Sequence, residues 1–317
     1  PSSSPPPLTS PADIKGLGRA GTICGCDWSG HVVATGADVA EPALGTHVAG
    51  FVHGGTYADR GAFAQYVVAG ADLCWAVPPG TLTHEQAASM GCGYWTAVQA
   101  LFHPDRLGLV EVPERVRGEE WVLVYGGSGS VGLFAIQLAH LAGYKVVTTA
   151  SPRNHALCKS LGADAVIDYN APDAIEQIKA ATGDTVRAAL DAISEPDTQA
   201  FCVRAVRAAG GKLVTILGVP AGVRALRREV AVQNTLIYTA LGRGFVFAGA
   251  EAWPASAGDR AHMARFLRKT PELVRAGSVL PNPTRLFEGG LEGIGAGLRY
   301  MEEGKHSGEK IVYRLED

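Results

Sequence analysis

Residues 122–147 read VLVYGGSGSVGLFAIQLAHLAGYKVV. A short apolar run from Trp121 to Tyr125 has the length of a buried strand. Three glycines follow at G-x-G-x-x-G spacing, Gly127, Gly129 and Gly132, and apolar residues at helical spacing then predict a helix from Val131 to Ala142. A glycine-rich turn with no ligand can produce the same spacing. The strand before it and the helix after it favour a dinucleotide fingerprint. Gly127 then permits the tight turn, Gly129 lets the backbone approach a pyrophosphate, and Gly132 allows close packing of helix on strand. Ser128, Ser130 and Val131 complete a loop whose N–H groups, at the positive end of the helix dipole, face the phosphates.

Outward from this loop the pattern repeats. KVVTTA is followed by a helix from Asn154 to Leu161, AVIDY by one near Asp173 to Ala181, and RAALDAI by one over Asp197 to Ala208, before KLVTILG. Fully apolar short strands alternating with helices predict a doubly wound parallel sheet covered on both faces. NTLIYTALGRGF is the expected last strand of that sheet. Upstream of about Ala88 the chain differs: HVVATG, GTHVAGFVHG and GAFAQYVVA read as short β segments with glycine-rich turns and no long helices. EKIVYRL near the end is another strand, so the simplest layout inserts the doubly wound domain into a β domain built from both ends of the chain. The start, PSSSPPPLTSP, has no core-forming pattern.

With 317 residues, 47% hydrophobic and 19% charged, the chain is long enough for about two globular domains. A net charge of −3 gives no electrostatic case for nucleic acid or an anionic membrane. No apolar run reaches the length of a membrane span, and six scattered cysteines make neither a disulfide framework nor a four-cysteine zinc lobe, which points to a reducing, cytoplasmic compartment.

The second strand selects the dinucleotide. An NAD site places an acid about 20 residues after the loop to hold the ribose 2′-hydroxyl. Here the stretch is TTASPRNH, with no acid between Lys145 and Asp164. Ser151 and Arg153 offer a hydroxyl and a guanidinium suited to a 2′-phosphate, which favours NADPH. Tyr169, closing AVIDY, is placed to stack on the adenine or reach the same phosphate.

GCDWSGHVVATG (25–36), GAFAQYVV (61–68), GGSGSVGLFAIQLAHLAGYKVV (126–147), SLGADAVIDY (160–169) and GKHSGEKIVYRL (304–315) resemble the medium-chain dehydrogenase/reductase superfamily in order and spacing. Within it, SPADIKG, GCDWSG and SPRNHALCKSLGADAVIDY are most similar to the fungal trans-acting enoyl reductases, stand-alone NADPH enzymes of highly reducing polyketide synthases. The resemblance implies an α/β chain with a Rossmann NADPH-binding domain at 91–277, inserted into a GroES-like β-barrel domain formed by 1–90 and 278–317. By position it implies cofactor contacts at Ala12, Asp13, Ile14, Lys15, the loop from Gly127 to Gly132, Ser151, Pro152, Arg153, Asn154, Tyr169, Leu217, Gly218, His306 and Ser307. A substrate channel is implied along Gly93, Tyr94, Trp95, Thr96, Ala97, Val98, Gln99 and Ala100, and along Tyr238, Thr239, Ala240, Leu241 and Gly242. Relatives carry several strands before their SPADIK equivalent. A Pro/Ser-rich leader stands there in this chain, so a barrel lacking its first strands is expected.

Zinc alcohol dehydrogenases of the superfamily have a His-Glu pair where this chain has Cys26-Asp27, and SPADIK holds no cysteine, so no catalytic metal is expected. Without a Lewis acid, reduction of a conjugated C=C is favoured over oxidation of simple alcohols. The resemblance then implies reduction of a carrier-tethered enoyl thioester. Lys15 is the first candidate for orienting the cofactor or holding charge near the thioester, and it competes with the plain alternative of a solvated lysine. Thr96 and Tyr94 are candidate hydrogen-bond donors, equally expected as packing residues of a helix. Two other functions fit the same residues: a soluble quinone or small-enone reductase, and a non-catalytic NADPH-binding accessory protein. The trans-acting reading implies a monomer partnered by a highly reducing polyketide synthase.

Overall fold

The computed structural model describes residues 20–247 and 251–315. They cluster into two compact units. One comprises residues up to Gly91 with Tyr238–Pro271 and Pro283 onward; the other comprises Cys92–Ile237 and Glu272–Asn282. Tyr238–Pro271 therefore belongs with the first unit, whereas the sequence layout assigns it to the inserted domain.

In the first unit, β1 (Asp27–His31), β2 (His47–Phe51) and β3 (Cys74–Ala76) form an antiparallel sheet in that order, with Asp27 opposite Phe51 and Val48 opposite Ala76. The short helix α1 (His84–Ala88) starts at a capping box in which Thr83 and Gln86 each bond the other's backbone N–H. The second unit contains α2 (Cys92–Phe102), β4 (Trp121–Tyr125), α3 (Ser130–Leu141), β5 (Lys145–Thr149), α4 (His155–Ser160), β6 (Ala165–Ile167), α5 (Ala174–Thr182), β7 (Ala188–Asp191), α6 (Pro196–Ala205), β8 (Gly211–Thr215), α7 (Ala221–Leu226) and β9 (Val230–Asn234). After them come β10 (Phe245–Phe247), β11 (Glu251–Trp253), α8 (Ala257–Leu267), α9 (Thr270–Arg275), β12 (Thr284–Phe287), α10 (Gly290–Glu302) and β13 (Lys310–Tyr313).

The six strands β4 to β9 make one parallel sheet in the order β6-β5-β4-β7-β8-β9. This is the doubly wound arrangement: the chain winds out from β4 in one direction and returns to wind out in the other. Leu123, Val147, Ala189 and Leu213 share a core with Ile178 of α5, Cys202 and Val203 of α6 and Val223 of α7. Every residue of α3 from Gly132 to Ala139 is buried, which suits a helix that is apolar all round and also packs on α2.

Three sequence expectations change. NTLIYTALGRGF is not the last strand of the sheet. Only Asn234 of it lies in β9; Ile237–Leu241 is a 3₁₀ turn, Gly242 takes φ +68°, and Phe245–Phe247 pairs with β11 in a separate antiparallel hairpin. A short apolar run fits a buried turn as well as a strand, and the true edge strand is betrayed only by alternation in VAVQN. Second, GAFAQYVVA forms no strand. Ala62 and Phe63 donate to the carbonyls of Gly25 and Cys24, after which Tyr66 and Val68 are exposed. In HVVATG only His31 belongs to β1. Third, the described residues form no closed barrel. The GroES-like region is the three-stranded sheet, together with the parallel pair of β12 and β13, in which Thr284 lies opposite Lys310. The Asp27 carboxylate of β1 meets Lys310 Nζ of β13 at 2.5 Å, and Arg314 pairs with Glu85 of α1. These ion pairs join segments that precede and follow the second unit in sequence within the first unit.

Candidate dinucleotide site

The turn from β4 to α3 is held from below by β5. Gly126 N–H donates to Thr149 Oγ1 at 3.0 Å, Gly127 N–H donates to the Thr149 carbonyl at 2.8 Å, and the Thr148 hydroxyl donates back to Val124 O at 2.6 Å. The tight turn falls on Gly126, at φ +79°, not on Gly127 as the spacing suggests. Gly127 is required for another reason: a Cβ there would overlap the Thr148 hydroxyl. A Cβ on Gly132 would overlap the Gly126 carbonyl and come within 2.7 Å of Gly127 Cα, so Gly132 does set the approach of helix to strand. Gly129 is the helix N-cap and supplies no side-chain cap. The first-turn N–H groups of Ser130, Val131 and Gly132 have no acceptor within the helix and remain for an anion.

Parallel strands bring their C-terminal ends to one edge. Ser151 to Asn154 follow β5 as a 3₁₀ turn in which Asn154 N–H donates to the Ser151 carbonyl at 2.9 Å. Arg153 is exposed there and makes no ion pair with a described residue. Tyr169 follows β6 and is 45% exposed. Leu217 and Gly218 follow β8, their carbonyls accepting from Thr215 Oγ1 and Gln199 Nε2. The structure therefore collects the glycine loop, the Ser151–Asn154 turn, Tyr169 and Leu217–Gly218 along one sheet edge. Asp164 is excluded from that edge: at the opposite end of the strands it pairs with Lys145 and accepts from Val146 N–H. Asp168, beside Tyr169, is an acid the sequence reading passed over, and it is engaged in a turn with its own Asn170.

Sequence reasoning also missed the third wall. After β7, buried Asp191 accepts from Ile193 N–H, Ser194 N–H and the Thr198 hydroxyl, and burial pushes its carboxyl above the ordinary range. This carboxylate fixes a loop that presents Ile193, 42% exposed, against Gly126. The repeated polar pattern Asp191-x-x-Ser194-x-x-x-Thr198 was the available signal.

The expected substrate residues separate between the units. Gly93 to Ala100 are buried on α2; Thr96 is 5% exposed, Tyr94 packs edge-on against Phe134, and Gln99 accepts from Thr235 at 2.6 Å. Tyr238 to Gly242 belong to the first unit. Tyr238 stacks on His53 with ring centroids 3.8 Å apart, Thr239 donates to Asp259, Ala240 is fully buried, and a Cβ on Gly242 would press on Arg260. Tyr238 and Leu241 border a cavity of about 260 Å³ with Phe51, His53, Tyr57 and Phe245. His306 and Ser307 lie in the loop between α10 and β13 of the same unit. Ala12, Asp13, Ile14 and Lys15 lie outside the described residues.

Burial holds the Cys26 thiol up at about 11, Asp27 is engaged by Lys310, and among the described residues no three His, Cys, Asp or Glu side chains are grouped to hold an ion.

Residues 10–79 match the alcohol dehydrogenase GroES-like domain family and residues 130–257 the zinc-binding dehydrogenase family. The chain is 39% identical over 314 residues to a trans-enoyl reductase, mpsG, of Macrophomina phaseolina, covering 96% of this chain and 87% of that protein. It is 35% identical over 318 residues to the enoyl reductase component lovC of the lovastatin nonaketide synthase of Aspergillus terreus, covering 97% and 86%. Among solved structures, an alcohol dehydrogenase superfamily protein from Novosphingobium aromaticivorans superposes with a TM-score of 0.74 at 25% identity, over 93% of this chain and 84% of that one. With its glycine loop and strand-edge turns on one side of a doubly wound sheet, the chain belongs to the medium-chain dehydrogenase/reductase superfamily, in its group of trans-acting enoyl reductases.

Proposed function

We propose that this protein reduces the α,β-double bond of a carrier-tethered polyketide thioester with NADPH, acting in trans on a highly reducing polyketide synthase. The observation that carries the reading is a glycine-turn cradle beside a ribose turn of Ser151 and Arg153 that holds no acid, in a chain similar along nearly its full length to trans-enoyl reductases. The nicotinamide group, when bound, supplies a hydride to the β-carbon of the substrate. The protein's part is to hold the pyrophosphate at Ser130 to Gly132, to receive the 2′-phosphate at Ser151 and Arg153, and to stack the adenine against Tyr169. It must also place a hydrogen-bond donor at the thioester oxygen, where negative charge develops before the α-carbon takes its proton. Lys15 and Thr96 are the proposed donors. Gly93 to Ala100 and Tyr238 to Gly242 are the proposed substrate-lining segments, and His306 and Ser307 complete the proposed cofactor contacts. The working form is a cytoplasmic monomer; no helix of the described residues is long and apolar enough to cross a membrane.

The test is NADPH oxidation against a panel of enoyl-pantetheine and carrier-bound enoyl thioesters beside free quinones. Turnover of thioesters is expected; turnover of quinones alone would transfer the protein to the quinone-reductase function, and no turnover with either would leave an accessory protein. In the same assay Arg153→Ala should raise KM for NADPH about tenfold and leave KM for NADH nearly unchanged. Equal effects on both would remove Arg153 from the 2′-phosphate site.

A further inference from the structure

Asn282 lies far in sequence from the glycine loop, in the segment Glu272–Asn282 that clusters with the second unit. It is 2% exposed, and its side-chain amide reaches the first residue of α3: Nδ2 lies 3.1 Å from the Ser130 carbonyl and 2.9 Å from Ser130 Oγ. Its Oδ1 is buried with no hydrogen-bond partner among the described residues. The orientation of the amide follows from the carbonyl, which can only accept, so the amide's one donor atom, Nδ2, must face it. Nδ2 then also donates to Ser130 Oγ, and the Ser130 hydroxyl proton cannot be used on Asn282 Nδ2. On the other side Ser130 is confined by Gly93, whose Cβ would overlap Ser130 Oγ and lie 3.1 Å from its carbonyl. The serine is thus boxed in at the point where α3 presents its free N–H groups.

We propose that Asn282 is a positioning residue of the dinucleotide site: by occupying the acceptor side of the Ser130 hydroxyl it directs that hydroxyl's proton to an oxygen of the bound pyrophosphate. This rests on the reading of the glycine loop as a dinucleotide cradle. Buried acceptors are normally paired, so Oδ1, with no partner among the described residues, points to a functional rather than a purely structural amide at this place. The segment does not need Asn282 to stay in place. Gln137, midway along α3, holds Leu280 from both sides, accepting from its N–H at 2.7 Å and donating to its carbonyl at 3.2 Å.

The experiment is a titration of the full chain with NADPH and, separately, with 2′-AMP, which carries the 2′-phosphate and adenine but no pyrophosphate. Asn282→Ala should weaken NADPH about fivefold and leave 2′-AMP unchanged, and Asn282→Asp, which puts an anion beside the same oxygens, should weaken NADPH further. Ser130→Ala combined with Asn282→Ala should bind NADPH no worse than Ser130→Ala alone, since both act through one hydroxyl. Unchanged NADPH affinity in both Asn282 variants, or equal loss for NADPH and 2′-AMP, would overturn the proposal. If the unaltered protein failed to bind NADPH at all, the cradle reading itself would fall, a result distinguishable from failure of Asn282 alone.

Discussion

Two glycine clusters bring backbone against backbone in this protein, and they use their hydrogen bonds in opposite ways. In the first unit Gly25, Gly54 and Gly61 let three distant segments cross. A Cβ on Gly54 would overlap the Gly25 carbonyl, and one on Gly61 would overlap that of Ile23. The crossing consumes its own donors: Val52, Gly55, Ala62 and Phe63 N–H groups all bond carbonyls between Ile23 and Cys26. In the second unit Gly126, Gly127 and Gly132 lie within seven residues, and the bonds of Gly126 and Gly127 to β5 leave the helix N–H groups after them without an acceptor in the helix. Glycines that close a network are structural; glycines that clear a path to open donors form a site. The distinction lies in where the hydrogen bonds go, not in the glycines themselves.

The sharpest break of this contrast is Gly54→Val against Gly132→Val. Both press a side chain into backbone, and each should cost about 3 kcal/mol, lowering Tm by roughly 6–12 °C. A melt unchanged in either variant would contradict the packing described.

Acid should separate the two clusters next. His53, beside Gly54, is 7% exposed, and burial lowers its pKa from 6.5 to about 4. The folded state favours the neutral ring, so its contribution is complete above pH 6.5 and is lost as pH falls toward 4, about 3 kcal/mol by the lower limit. His53→Phe keeps the stack on Tyr238 and should flatten that part of the pH–stability curve. An identical acid limb in the variant would show that other groups set it.

The smallest effect on stability should come from Gly129→Ala. A Cβ there has 3.3 Å to the Gly126 carbonyl, and its φ of −77° suits any residue. Stability should change by less than about 1 kcal/mol, while NADPH binding weakens about tenfold because the methyl stands where the pyrophosphate approaches. Loss of stability without loss of binding would make the loop a structural crossing like that at Gly54.

What the sequence disclosed follows the same division. The β4–turn–α3 unit was legible because all of its constraints fall within one short stretch: an apolar strand, glycines at fixed offsets and a helix period. The placement of Tyr169 and of Ser151 to Asn154 followed from alternation alone, since every parallel strand delivers its end to one edge. Thr148 and Thr149 were not legible as anchors of the glycine turn, because a threonine in a strand looks the same whether or not its hydroxyl holds a neighbouring loop. Asn282 was invisible for a stronger reason: 152 residues separate it from Ser130. The crossing in the first unit defeated strand assignment at GAFAQYVVA, because two backbone bonds suffice to anchor a segment whose side chains alternate like a strand's.

The strand order has a consequence for how the chain finds its fold. Along the parallel sheet, neighbouring partners such as Val122 with Val146, Ala188 with Lys212 and Gly211 with Val230 are joined by single crossovers, while Val122 with Ala188 is joined only after β5, β6 and their helices have intervened. Closing that long loop is the costliest step in chain entropy. The two halves of the sheet can form on their own, and their seam between β4 and β7 should be set last. Destabilising substitutions at Val124 or Leu190 should therefore slow refolding less than they speed unfolding, which stopped-flow chevrons on the two variants would measure. The seam also runs beneath the glycine turn, with Ile193 against Gly126, so the binding crevice is the last part of the second unit to be assembled.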